Sequence, residues 1–257
     1  MNTFARKLLV GGNWKSHGSV NFVKEFARDT LNKISYNTSK LDLVVAPVSI
    51  HLRDAQEHIK NDIQICSQNI SAFEDGAYTG EISSTQLVDL GVNWTILGHS
   101  ERRHIFGESN SFVASKIKRA HDHGLNVIAC IGETIDERED GETLKACTRQ
   151  LKAIREQVED WNKLAIAYQP VWAIGTGKTA TSDQAQEVHG HLREWIAEHV
   201  SQDAARLTRI IYGGSVNGEN AGELINNPDI DGLLVERLSI KPEFEAIVKA
   251  CNEASKY

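Results

Sequence analysis

The segment AYQPVWAIGTGKT, residues 167–179, begins like a buried strand and ends like a hinged lid. Between the two sits Gln169, at a strand-to-loop junction where catalytic groups commonly stand. Its neutral amide neither takes nor releases a proton near pH 7. Pro170-Val171-Trp172 is stiff, Ala173-Ile174-Gly175 is small and apolar, and Thr176-Gly177-Lys178 supplies a second glycine-bearing hinge. Rigid ends around a light tip suit a lid that moves as one piece over a ligand. The run GTGKT is no phosphate loop, because it lacks the first glycine of GxxxxGKS or GxxxxGKT.

Three other strand ends carry residues able to do chemistry. Gly12-Asn13-Trp14-Lys15 offers Lys15 as a fixed cation for an anionic substrate, or as a plain surface lysine. In Leu97-Gly98-His99-Ser100-Glu101-Arg102-Arg103, His99 opens a charged helical segment. A helix start disfavours the imidazolium and keeps the ring neutral. A neutral imidazole can pass a proton to a carbonyl oxygen and stabilise an enediolate. Alone, such a histidine is more often structural, and Glu101 beside Arg102 and Arg103 reads as an ion-pair cluster. Tyr212-Gly213-Gly214-Ser215-Val216 is a glycine turn whose amides can face a phosphate, with Ser215 adding a hydroxyl, or simply a tight turn.

These residues need a frame that gathers strand ends. Short apolar runs alternate with longer amphipathic ones: KLLVGGN, LDLVVAP, IQICSQN, VNWTILG, LNVIACIG, LAIAYQP, RIIYGG and DGLLV. Each is apolar on both faces, as parallel strands covered on either side should be. Helical patterns lie between them, at residues 19–34, 109–124, 142–161 and 182–200. Ser19, Ser109 and Ser182 are the expected opening caps and Gly124 the expected close. Eight β–α units in 257 residues match a single (β/α)8 barrel over residues 1–257, with the active site at the C-terminal ends of the strands. An open doubly wound sheet is disfavoured, because the first strand leads to NWK and not to GxGxxG.

Lys+Arg 28 against Asp+Glu 35 leaves a net charge of −7. No basic surplus points to nucleic acid or to a membrane surface, although a local pocket can still hold a small anion. Cys66, Cys130, Cys147 and Cys251 show no CxxC pair or metal spacing and read as reduced cytosolic thiols. The N-terminal run LLVGG is too short for a signal segment or a membrane span.

Nearly the whole chain resembles the triosephosphate isomerase family. It carries NWK, TGEIS, GHSERR, FGE, ACIGET, PVWAIGTGKTAT, YGGSVNGEN and KPEF in the family's order and spacing. The resemblance implies a cytoplasmic homodimer that interconverts dihydroxyacetone phosphate and glyceraldehyde 3-phosphate, in glycolysis and gluconeogenesis, with no cofactor and no metal. It assigns substrate holding to Asn13 and Lys15, proton shuttling to a neutral His99, and phosphate binding to Gly175, Gly213, Gly214 and Ser215. Residues 170–179 become the lid. Residues 68–83 become a loop that enters a second subunit, with Thr79, Gly80 and Glu81 as dimer contacts. Glu101 and Glu108 support the site, and Cys130 packs near it.

Two departures change that expectation. The family pattern has the proton-abstracting glutamate where this chain has Gln169. It has a glycine pair facing phosphate where this chain has Glu236-Arg237, followed by a larger Leu238. Glu236 brings a carboxylate toward a dianion, while Arg237 can bind phosphate through its fork or pair with Glu236. Binding of a phosphorylated triose is expected to be weakened and turnover strongly impaired. Three readings follow. One is a deliberately engineered variant, with Glu236 as a new base or Arg237 as a new contact for a non-phosphate ligand. Another is a non-catalytic relative kept for binding or scaffolding. The third is a residual isomerase with a rearranged site.

Overall fold

Every second residue of a strand faces the same side. In β5 (Asn126–Ile131), Ile128 and Cys130 join an inner cluster, while Val127, Ala129 and Ile131 join the layer under the helices. The same split holds in β1 (Leu8–Asn13), β6 (Leu164–Tyr168) and β8 (Gly232–Val235). Leu9, Ala165, Ala167 and Leu234 point inward; Leu8, Val10, Ile166, Tyr168, Leu233 and Val235 point outward. Strands buried on both faces need cover on both, and closure provides the inner one.

The computed structural model describes residues 6–173 and 180–255. With β2 (Leu41–Ala46), β3 (Gln64–Ser67), β4 (Trp94–Leu97) and β7 (Arg209–Tyr212), the strands close in sequence order into a parallel barrel. β1 pairs with β8 from Leu9↔Gly232 to Gly12↔Val235. This is the (β/α)8 architecture, not an open sheet. No helix among the described residues is long and apolar enough to cross a membrane.

Local signals set most helix starts. Ser19 and Ser109 accept from the N–H groups of Phe22 and Phe112, as N-caps should. Ser182 does not cap its helix. Thr181 does, in a reciprocal capping box with Gln184, and Ser182 is the first helical residue. Gly124 closes its helix at φ 81, a left-handed turn that glycine adopts freely. The helix expected over 142–161 spans only Thr143–Arg155. Asp160 accepts from Asn162 N–H and caps a separate short turn, Trp161–Lys163, which places Trp161 in the core.

Candidate active site

Strand alternation aims the site residues. In β8, Leu234 faces in and Val235 out, so Glu236, the next residue, continues on the inward side at the barrel mouth. In β6, the inward series Ala165, Ala167 leads to Gln169, which is buried. After β4 a left-handed Gly98 (φ 68) breaks the alternation. It turns His99 into the mouth as the N-cap of the helix Ser100–His104. A Cβ on residue 98 would lie 2.7 Å from Val113 Cγ1, so packing as well as backbone demands glycine there.

Lys15 lies in the left-handed region at φ 51, a conformation that costs a lysine roughly 1 kcal/mol or more. Two contacts hold it there. Its N–H donates to Asn13 Oδ1 (3.0 Å), and its carbonyl accepts from Gln68 Nε2 (2.8 Å). The turn delivers the ammonium between Glu101 Oε1 (2.7 Å) and Glu236 Oε2 (2.8 Å). Glu101 is therefore the partner of Lys15, and the expected cluster with Arg102 and Arg103 does not form. Arg103 instead pins the turn, donating to the carbonyls of Gly98 (2.7 Å) and Cys130 (3.1 Å). Arg102 meets Glu108 at 2.5 Å, and buried Lys116 donates to the same carboxylate oxygen at 2.6 Å.

Glu236 is the centre of the mouth. Its Oε1 lies 2.6 Å from His99 Nε2 and accepts from Gln169 Nε2 at 3.2 Å. Gln169 Oε1 in turn accepts from Ser100 N–H at 3.1 Å. His99 Nδ1 accepts from Glu101 N–H at 3.2 Å, which leaves the ring proton on Nε2 and directs it at Glu236. Both nitrogens of His99, both ends of Gln169 and both oxygens of Glu236 are thus bonded within the chain. Burial works against ionisation of Glu236, but the His99 hydrogen bond and the Lys15 charge outweigh it and hold the carboxyl below the usual range. Burial also opposes the Lys15 ammonium, and Glu236 with Glu101 overcomes it, raising that group above an ordinary lysine. Nitrogen-resolved NMR of His99 should show a proton on Nε2 and an unprotonated, accepting Nδ1. A resting ring protonated on Nδ1 would contradict this hydrogen-bond pattern.

The remaining candidates are placed as follows. Gly213 N–H is committed to the carbonyl of Tyr168 (2.7 Å), so it does not face a ligand. A Cβ there would press on Gln169 Cγ at 2.9 Å, and one on Gly214 would collide with the Tyr212 hydroxyl. These glycines serve close packing at the mouth. Ser215 is half-buried on the following turn, and its carbonyl accepts from Asn220 Nδ2 at 3.1 Å. Arg237 is exposed and does not pair with Glu236; the carboxylate turns inward to Lys15 and His99 instead. Gly175 and the lid tip lie outside the described residues. Cys130 is buried, with its thiol pushed up by that burial. Thr79, Gly80 and Glu81 lie on an exposed loop. Gly80 and Glu81 line a cavity of about 360 Å³ with Lys15, Gln68, Arg102 and Phe106. Ser100 and Gly98 carry no chemical signal in sequence, so their roles emerge only from the turn they build. The inward aim of Glu236 did have a signal, the alternation along β8.

The family model for triosephosphate isomerase matches residues 8–251. The chain is 50% identical over 248 residues to "Triosephosphate isomerase" of Taenia solium, covering 95% of this chain and 98% of that protein. It is 47% identical over 250 residues to "Triosephosphate isomerase, cytosolic" of Oryza sativa subsp. japonica, covering 97% and 99%. It is likewise 47% identical over 247 residues to "Triosephosphate isomerase" of Neurospora crassa, covering 96% and 99%. A closed eight-stranded parallel barrel, a strand-end lysine, histidine and amide converging at its mouth, and this match along nearly the whole chain agree: the chain belongs to the triosephosphate isomerase family.

Proposed function

We propose that this chain is a catalytically silenced member of its family, a cytoplasmic homodimer whose single barrel domain keeps the family architecture without isomerase turnover. One observation carries the reading. Lys15, His99 and Gln169, the groups that would meet the triose, all bond to the chain's own Glu236. Gln169 cannot abstract a proton from carbon. Two carboxylates, Glu101 and Glu236, surround the one Lys15 ammonium, so the mouth repels a phosphorylated dianion more than it attracts one. A role for Glu236 as a replacement base is less well supported, because a carboxylate held ionised by an imidazole and an ammonium is a weak base.

Loss of the base alone removes about 10²–10⁴ in rate, and the self-filled site adds to that. In a coupled assay with dihydroxyacetone phosphate or glyceraldehyde 3-phosphate, kcat/KM should fall at least about 10⁴-fold below that of the rice relative measured alongside. A value within tenfold of the relative sinks the reading.

The dimer is supported by Ile50, Phe73, Tyr78, Ile105 and Phe106, large apolar side chains left exposed, of which Phe106 borders the 360 Å³ cavity. Exposed large apolar side chains, with Phe106 at the cavity rim, suit a protein partner, here a second copy. Sedimentation at micromolar concentration should give a single dimeric species, and a monomer there would remove the homodimer from the proposal.

A further inference from the structure

A carboxylate is planar and accepts through two oxygens with about four lone-pair directions. Glu236 meets three donors: Lys15 Nζ on Oε2, and His99 Nε2 with Gln169 Nε2 on Oε1. The donors come from the ends of β1, β4 and β6, and the acceptor from the end of β8. Each donor is also held from behind by a group that does not involve Glu236. Glu101 N–H fixes the His99 ring through Nδ1, Ser100 N–H fixes the Gln169 amide through Oε1, and Glu101 Oε1 holds the ammonium. The donor set therefore keeps its shape when its ligand is removed, as a preorganised site must.

Its charge is selective too. A lysine ammonium already shared with Glu101, together with two N–H donors, matches a monoanion with two oxygens better than a dianionic phosphate. Gln169 is decisive. A carboxylate at that position would repel a carboxylate ligand, whereas the amide donates to it.

We propose that Lys15, His99 and Gln169 form a carboxylate-binding cage and that Glu236 is its tethered resident ligand, an autoinhibitory contact that a free monocarboxylate replaces once Glu236 is shortened. The proposal deepens the silenced-site reading but is tested by binding, not turnover, so either can fail without the other. A tethered carboxylate outcompetes millimolar free ligand through its effective concentration, so the intact chain should bind no acetate.

The test uses the full chain with Glu236→Ala and, in parallel, Glu236→Gly. Sodium acetate or formate is titrated against sodium chloride at matched ionic strength and against inorganic phosphate. The readouts are thermal midpoint and the nitrogen chemical shifts of His99 Nε2 and Gln169 Nε2. With a dissociation constant near 10 mM, about 100 mM acetate should raise the midpoint of either variant by about 3–6 °C, and should shift both nitrogens saturably. The intact chain should respond to acetate no more than to chloride. Adding Gln169→Glu to Glu236→Ala should abolish the acetate response. If a variant is unfolded without ligand, recovery of folded circular dichroism on adding acetate is the supporting result. Neither variant responding to acetate, the intact chain responding equally, or phosphate shifting the His99 Nε2 and Gln169 Nε2 signals more than acetate does would each overturn the cage.

Discussion

Gln169→Glu alone should leave triose turnover at background and lower the protein's stability. The new carboxylate would stand where the Gln169 amide now donates to Glu236 at 3.2 Å. Two carboxylates at that distance cannot both ionise cheaply, so they would titrate as a coupled pair with one proton held to higher pH. Lys15 and His99 would stay occupied by Glu236. The reverse repair, Glu236→Gly with Arg237→Gly, should release both groups and improve binding of a phosphate-bearing triose analogue by on the order of 10²-fold or more, since a tethered competitor is gone. Turnover should remain near background, because no base has returned. Combining all three substitutions should raise kcat/KM by about 10²–10⁴ over the binding-only repair. Base and grip act as a unit, since binding the remote phosphate is what places the reacting carbon beside the carboxylate. The effects should therefore be strongly non-additive across the four proteins. Full activity from Gln169→Glu by itself would falsify the view that Glu236 closes the site.

Acid should weaken the fold well before the carboxylates titrate, with His189 as the largest single cause. The ring is fully buried, its Nδ1 lies 2.7 Å from the carbonyl of Ala185, and it stands edge-on to Tyr168. Burial pushes its pKa down to about 4. An unfolded histidine takes its proton near 6.5, so between the two values the unfolded chain binds more protons than the folded one. Stability is then complete above about pH 6.5, falls by about 1.4 kcal/mol per pH unit below it, and levels off near pH 4. The loss amounts to roughly 3 kcal/mol. Denaturant titrations at fixed protein concentration from pH 7 to pH 4 measure the slope directly. His189→Gln, which retains a donor for Ala185 without a titrating ring, should flatten that arm by about one proton's worth. An unchanged slope in the variant would assign the acid sensitivity elsewhere.

The barrel was legible because its cause is local. Alternating apolar runs of strand length, buried on both faces, leave little choice but a covered parallel sheet, and their number and order close it. Placement of Asn13, His99, Gln169, Ser215 and Glu236 at strand ends followed from the same pattern. The amide at Gln169 was legible in the strongest sense, because its inability to take a proton does not depend on its surroundings. Helix ends were less legible where two capping residues adjoin. Thr181 and Ser182 offer the same hydroxyl, and only the capping box with Gln184 selects the first.

Sequence by itself thus determined the fold class, and it showed that the side chain at position 169 is an amide that takes no proton. Tertiary structure alone decided what Glu236 does. Its sequence neighbour Arg237 offered the nearest opposite charge, yet the two residues leave β8 on opposite sides, Arg237 toward solvent and Glu236 inward. Closure of the barrel then brings the ends of β1, β4 and β6 to that carboxylate, and Lys15, His99 and Gln169 bond to it although they lie far from it along the chain. Ion pairs made across a closed sheet depend on strand parity and register, and a linear reading of neighbouring charges does not contain them.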